Sequence, residues 1–159
     1  MKNSKLSHYD QSGAASMVDV SGKPISSRSA TARAYVSMPA DVMAAIPHNT
    51  KGDPLEVARI AGISAAKKTS ELIPLCHQLP LSHVAVEFRL EKAGIEITAK
   101  ARTVAQTGVE MEAMTAAAVA ALTIYDMTKA LNKAIEIREI YLLEKTGGKS
   151  GTFRRTPAK

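Results

Sequence analysis

The chain has 159 residues, 45% hydrophobic and 23% charged, enough for one globular domain with a core and too few for two comfortable ones. Its longest unbroken apolar run, Ala116 to Leu122, falls far short of the roughly 20 residues a membrane helix needs, and its single cysteine, Cys76, excludes an internal disulfide. The net charge of +6 sits at the ends: residues 1–36 carry five Lys/Arg against two acids, 37–144 eleven against thirteen, and 145–159 five against none.

Basic arms on a slightly acidic body suit solvated tails, or lids over a small polyanion, better than a uniformly basic nucleic-acid surface. The opening MKNSKLSHYDQSG lacks the apolar core of a signal peptide, which argues for retention in the cytoplasm. Residues 1–31 have no sustained periodicity and read as a largely mobile arm with a short ordered piece at Met17-Val18-Asp19-Val20. The folded body is expected over 32–144, followed by a basic Gly-rich loop and tail over 145–159, all within a single domain.

Ala32 to Met38 reads as a strand, Pro39 to Ile46 as a short helix with Pro in its first turn, and residues 47–50 as a loop. Asp53-Pro54-Leu55-Glu56 has the spacing of a capping box and starts a helix expected to reach about Ser70, with Val57, Ile60, Ala61 and Ser64 sharing one face. Pro74 and Pro80 bracket a loop. The period then changes to two, with Val84, Val86, Phe88 and Leu90, a turn at Lys92-Ala93-Gly94, and Ile95, Ile97, Ala99 and Ala101, which predicts a β-hairpin. Val109 to Lys133 lacks Gly and Pro and predicts a helix of about six or seven turns. Residues 135–144 form a last strand with one irregularity. Less its small extra helix, this order is that of an α+β, ferredoxin-like β-α-β-β-α-β sandwich, an antiparallel sheet covered by two helices on one face.

The long helix carries Glu110, Glu112, Asp126, Lys129 and Lys133. Asp126 and Lys129, three apart, can pair or share a substrate, although such pairs on surface helices are commonly solvated and contribute little. Glu112 and Asp126 return to nearly one face but lie ~21 Å apart along the axis, so one helix cannot bring both to one small ligand. If both serve one site, a second copy supplies one of them, most simply by two such helices crossing antiparallel about a two-fold axis. Small residues at Thr115, Ala116, Ala120 and Thr123 fit such a crossing, and fit packing on the protein's own sheet equally well.

Lys51 stands just before a helix N-terminus, where an anion would be favoured; alone, it more often points to water. Cys76 and His77 fit a nucleophile with its base, a metal pair, or a polar grip on a base or sugar. No spacing among the histidines resembles a zinc set, and polar recognition by His77 is preferred over a purely structural histidine. The segment Lys145-Thr146-Gly147-Gly148-Lys149-Ser150-Gly151 fails as a P-loop because Leu143 stands where the first Gly is required and no helix follows. It remains a Gly-rich loop with two lysines, able either to fold over a polyphosphate or simply to leave the last strand.

Seven of these runs carry a resemblance: Met17-Val18-Asp19-Val20, Lys51-Gly52-Asp53, Ala58-Arg59-Ile60-Ala61-Gly62-Ile63, Leu72-Ile73-Pro74-Leu75-Cys76-His77, Gly108-Val109-Glu110-Met111-Glu112-Ala113, residues 120–127 and residues 147–151. Over about residues 17–153 the chain resembles the MoaC family of molybdenum cofactor biosynthesis. The resemblance implies a ferredoxin-like fold, a hexamer built as a trimer of dimers, and sites at subunit interfaces. It also implies conversion of 3',8-cyclo-7,8-dihydroguanosine triphosphate into cyclic pyranopterin monophosphate with release of pyrophosphate. No redox cofactor is expected, and any metal would be Mg²⁺ carried in with the triphosphate. Carried over by position, Asp126 and Lys129 match a catalytic acid/base pair and Lys51 a catalytic lysine. Leu75, Cys76, His77, Glu110, Met111 and Glu112 match substrate-contacting segments, and Lys23, Arg28 and Lys145 match cations near the triphosphate. Arg154 and Arg155 lie outside the shared pattern. A lysine among other cations is expected to have a lowered pKa suited to proton transfer.

Two other classes compete. An RNA-binding module shares the β-α-β-β-α-β order but requires stacking aromatics on central strands and a basic sheet face, whereas aromatics total 4% and the hairpin holds only Phe88. A non-catalytic oligomeric scaffold would use the same charged residues as interface ion pairs.

Overall fold

The computed structural model of the chain describes residues 8, 9 and 12–156. Its first strand, β1 (Ser26–Ser37), is followed by a short helix α1 (Ala40–Ala45), a 3₁₀ turn (Ile46–His48), and the helices α2 (Pro54–Lys67) and α3 (Thr69–Leu72). The hairpin β2 (Leu81–Glu91) and β3 (Gly94–Ala105), the long helix α4 (Glu110–Thr128), and the strands β4 (Glu136–Thr146) and β5 (Phe153–Arg154) complete the chain. The sheet runs β2-β3-β1-β4-β5 with every neighbouring pair antiparallel. With α2 and α4 packed on it, this is the ferredoxin-like α+β arrangement anticipated above.

Several boundaries differ from the sequence reading. β1 begins at Ser26, inside the stretch assigned to the arm, because it pairs with β3 without a break from Ser26↔Ala105 to Ser37↔Gly94. Ser-rich sequence has little strand preference of its own, and the partner strand decides. The second helix stops at Lys67 and reforms as the one-turn α3. α4 ends at Thr128, five residues short of Lys133. There the Asn132 side chain accepts from the Ala134 N–H at 2.8 Å, a local bond that competes with continued helix. The anticipated irregularity in the last strand is present: register shifts flank Ala32–Arg33 of β1, and Glu139 is left-handed at φ 57°. The two-residue β5, unforeseen, pairs Arg154 with Glu144 and Phe153 with Lys145.

One face of the sheet is fully buried under the helices. Ala30, Ala32, Ala34 and Val36 of β1 and Ile95, Ile97, Ala99 and Ala101 of β3 are all inaccessible, and the alanines let α4 sit close. α2 and α4 approach still more closely: a Cβ at Gly62 would lie 2.9 Å from the Ala116 carbonyl oxygen and 3.3 Å from the Ala120 Cβ. Ala116, Ala120 and Thr115 are therefore spent on packing inside the protomer. The face of α2 carrying Val57, Ile60, Ala61 and Ser64 instead points outward, with Ile60 65% exposed. On the sheet's other face, Arg33 links Glu96 at 2.6 Å, Glu139 and the Tyr141 hydroxyl. Guanidinium groups cover its tyrosines, Arg33 over Tyr35 and Arg155 over Tyr141.

Candidate active site

The residues singled out above gather into two groups, one at each end of α4. At its C-terminal end, Lys129 pairs with the Asp126 carboxylate at 2.6 Å. Lys51 arrives from the loop before α2 and donates from Nζ to the Asp126 main-chain oxygen at 3.4 Å. Asn49 builds this junction: its Nδ2 donates to the Met127 carbonyl at 2.9 Å and its Oδ1 accepts from the Lys51 N–H at 2.9 Å. Gly52, at φ +98°, turns the chain into Asp53, which caps α2 by accepting from the N–H groups of Leu55 and Glu56. Sequence reasoning passed over Asn49; its signal was an Asn two residues before the lysine, a spacing suited to a side-chain-to-backbone turn.

Asp126 and Lys129 are both well exposed. The hydrogen bond from Lys129 and its charge hold the Asp126 carboxyl below its usual range, with Lys51 adding to the effect. The same bond raises Lys129. The lowered lysine pKa expected among cations does not apply to Lys129 within one protomer, because its nearest charge is a carboxylate, which favours the ammonium.

At the N-terminal end of α4 lies an open cleft of about 400 Å³ whose wall includes Leu75, Cys76, His77, Met111 and Glu112. Lys23, Thr107, Gly108 and Glu110 line it too and also line an adjoining cleft of about 560 Å³, which adds Arg28, Lys145 and Lys149. The first cleft is walled by apolar and titratable side chains, and the second is ringed by cations. Glu112 is only 4% exposed, and burial, with Glu110 nearby, pushes its carboxyl up to about 7. Burial and the Glu112 charge also raise the Cys76 thiol, so Cys76 is disfavoured as a thiolate nucleophile. His77 Nε2 lies 2.8 Å from the Val18 carbonyl oxygen. A carbonyl only accepts, so Nε2 carries the proton and Nδ1 is the atom left for a ligand.

The cationic half is held from two directions. Arg28 donates from Nε to the Ala105 carbonyl at 3.0 Å and from Nη2 to the Gln106 carbonyl at 3.1 Å. The loop after β4 folds onto it: Gly147 and Gly148 are left-handed at φ +86° and +74°, and a side chain at Gly148 would collide with the Arg28 guanidinium. Lys145 donates to the Ser150 hydroxyl across this loop. Lys149, left without a specific role in the sequence reading, lines the cationic cleft beside Lys23 and Arg28.

One end therefore collects Lys23, Arg28, Leu75, Cys76, His77, Glu110, Met111, Glu112 and Lys145, and the other collects Lys51, Asp126 and Lys129. Glu112 and Asp126 are ~21 Å apart at 1.5 Å per helical residue, so the two groups do not meet within one chain. Among the described residues no group of three or more His, Cys, Asp or Glu converges as a metal site, and no helix is long and apolar enough to cross a membrane.

Comparison with known proteins gives a consistent result. The sequence profile of the MoaC family matches residues 17–148, a span that includes every residue of both groups. The cyclic pyranopterin monophosphate synthase of Geobacter sulfurreducens is 57% identical over 154 residues, covering 94% of this chain and 96% of that protein. The proteins of the same name from Cereibacter sphaeroides and Parvibaculum lavamentivorans are 54% and 51% identical, over 94% and 97% of this chain and 97% and 99% of theirs. On this evidence of profile and full-length identity, the chain belongs to the MoaC family.

Proposed function

We propose that this chain is a cyclic pyranopterin monophosphate synthase acting in molybdenum cofactor biosynthesis. It converts (8S)-3',8-cyclo-7,8-dihydroguanosine 5'-triphosphate into cyclic pyranopterin monophosphate and pyrophosphate, a phosphorus-oxygen lyase reaction, in the cytoplasm. The reading is supported by the relatives' shared name over nearly the whole chain. The observation that carries its mechanism is the separation of the two residue groups at opposite ends of α4.

Each end is half of a site. The cationic cleft suits a triphosphate, and the neighbouring cleft, with the Cys76 thiol, His77 Nδ1 and a Glu112 carboxyl that is largely protonated below pH 7, suits a heterocycle bearing both donors and acceptors. The ion pair of Lys129 and Asp126, with Lys51 beside it, stands instead at the far end. Two protomers related by a two-fold axis bring unlike ends of α4 together and make two complete sites. The outward stripe of α4, with Met111, Met114, Ala118 and Leu122 partly or well exposed, is uncharged and available for that contact. Three such dimers make the hexamer.

In the closing step a substrate hydroxyl attacks the α-phosphorus and gives its proton to the Asp126 carboxylate. The new O–P bond forms as the bridging bond to the β-phosphate breaks, and pyrophosphate leaves with the bonding pair. Lys23, Arg28 and Lys145 stabilise the charge that develops on it. Asp126 and Lys129, with Lys51, take and return the protons of the ring rearrangement. The RNA-binding alternative gains no support, because guanidinium groups already occupy the sheet-face tyrosines.

The test is direct. Purified chain given the cyclised nucleotide is expected to release one pyrophosphate per cyclic pyranopterin formed, followed by mass spectrometry; absence of release overturns the proposal. The shared site is tested by mixing Asp126→Ala with Arg28→Ala under subunit exchange, at substrate well below the raised KM of Arg28→Ala, where each variant alone turns over little. Activity should return to about a quarter of wild type, since half the dimers are mixed and each has one intact site of two. No recovery argues for a site within one chain.

A further inference from the structure

The stretch before β1 is not merely an approach to the fold. Ser16 N–H donates to the His8 carbonyl at 3.0 Å, Tyr9 and Ala15 form an antiparallel bridge, and Gly13 at φ +83° makes the return. Beyond this turn the segment is tied to the body twice: the Val18 carbonyl accepts from His77 Nε2 at 2.8 Å, and the Ser21 carbonyl accepts from Gln106 Nε2 at 3.2 Å. Two inner bonds stiffen it, Asp19 Oδ1 accepting from the Ser21 N–H at 2.8 Å and the Val20 carbonyl accepting from the Lys23 N–H at 2.9 Å. The result is a strap that runs past the cleft of Cys76, His77 and Glu112 and lends it His8, Val18 and Val20 as lining. Without the strap that cleft has no wall on this side.

We propose that His8, Val18, Val20 and Lys23 are a working wall of the heterocycle pocket, with His8 a substrate-contacting residue that sets affinity for the ring. This rests on the functional reading above. The body offers the ring a thiol, a carboxyl and one imidazole nitrogen. His8 adds from the strap an imidazole that donates at one nitrogen and accepts at the other, which suits a purine-derived ring whose edge alternates donors and acceptors. His77 then has two jobs, holding the strap through Nε2 and meeting the substrate through Nδ1. His8 lines only this cleft and not the adjoining cationic one, so its contribution concerns the ring and leaves the phosphates untouched.

The experiment compares wild-type chain with His8→Ala and His8→Gln, measuring KM and kcat for the cyclised nucleotide and the inhibition constant of pyrophosphate. His8→Ala is expected to raise KM about tenfold, the loss of one hydrogen bond, with kcat within about twofold. His8→Gln, which still donates and accepts, should recover most of the loss. Pyrophosphate inhibition should not change, because that ligand needs only the cations. An unchanged KM in His8→Ala overturns the proposal. So does an equal weakening of pyrophosphate, which would mean that the strap, Lys23 included, had merely been displaced. Wild-type chain that releases no pyrophosphate overturns the functional reading itself, and the role of His8 with it.

Discussion

The two ends of α4 solve opposite problems. Its first turn is roofed by the 72–77 loop and the N-terminal strap, and Glu112 is held there at 4% exposure, where burial favours the neutral acid. Its last turn projects Asp126 and Lys129 into solvent, where their mutual bond favours both charged forms. The first end offers a partly desolvated cleft that could hold a ligand, and the second presents an exposed, charged ion pair. The contrast explains why a chain this small would work through an assembly: each end lacks what the other has.

Several measurements can break or sharpen that contrast, beginning with the largest effect. Replacing Asp126 or Lys51 by Ala should lower kcat by about 10²–10⁴-fold, the usual worth of general acid–base groups, while circular dichroism and hydrodynamic size stay as in wild type. Unaltered turnover in either variant would remove the C-terminal end from the chemistry.

Glu112→Gln probes the buried end through stability. Its carboxyl is raised from 4.5 to about 7 in the folded state, so the folded protein binds the extra proton between those values. Below pH 4.5 both states are protonated and nothing is lost; as pH climbs through 7 the folded carboxyl must ionise at a cost. The Gln variant should thus match wild type near pH 4 and exceed it by on the order of 3 kcal/mol at pH 8, read by urea denaturation at both pH values. A gain of the same size at both would show that ionisation is not the cause.

Arg28→Ala should raise KM by about 10–100-fold, the worth of a hydrogen bond to a charged group, and the defect should shrink as salt rises and screens wild type as well. The smallest effect belongs to Arg154→Ala. That residue makes an exposed ion pair with Glu144 at 3.2 Å and borders neither cleft, so stability should fall by at most ~1 kcal/mol and turnover should be unchanged.

Much of this was legible in the sequence because it depends on local rules. The Asp53 cap, the two-residue period of β2 and β3, and the absence of Gly and Pro through α4 each act within a few residues of themselves. The motif residues of both proposed half-sites were legible as well, through resemblance. Less legible was anything settled by a distant partner. The outward turn of Val57 and Ile60 could not be read from helical spacing, because Gly62 opposite them accepts α4 at a distance no larger residue tolerates. Asn49 was missed for the same reason: it acts on a segment far away in the chain, the end of α4.

The sequence by itself determined which residues form strands and helices, since period, caps and turn residues bias the backbone locally, and it determined the chemical kind of each site residue. Only the tertiary structure decided where those residues stand. Ser26 to Ala30 become strand because β3 offers a continuous row of backbone partners, and Glu112 becomes a near-neutral acid because folding takes it out of water. Lys51, Asp126 and Lys129, the proposed acid/base trio, end a helix-length away from the proposed binding cleft because a rigid helix holds them apart. That separation is a property of α4 as a rod, and it makes the neighbouring protomer part of the proposed mechanism.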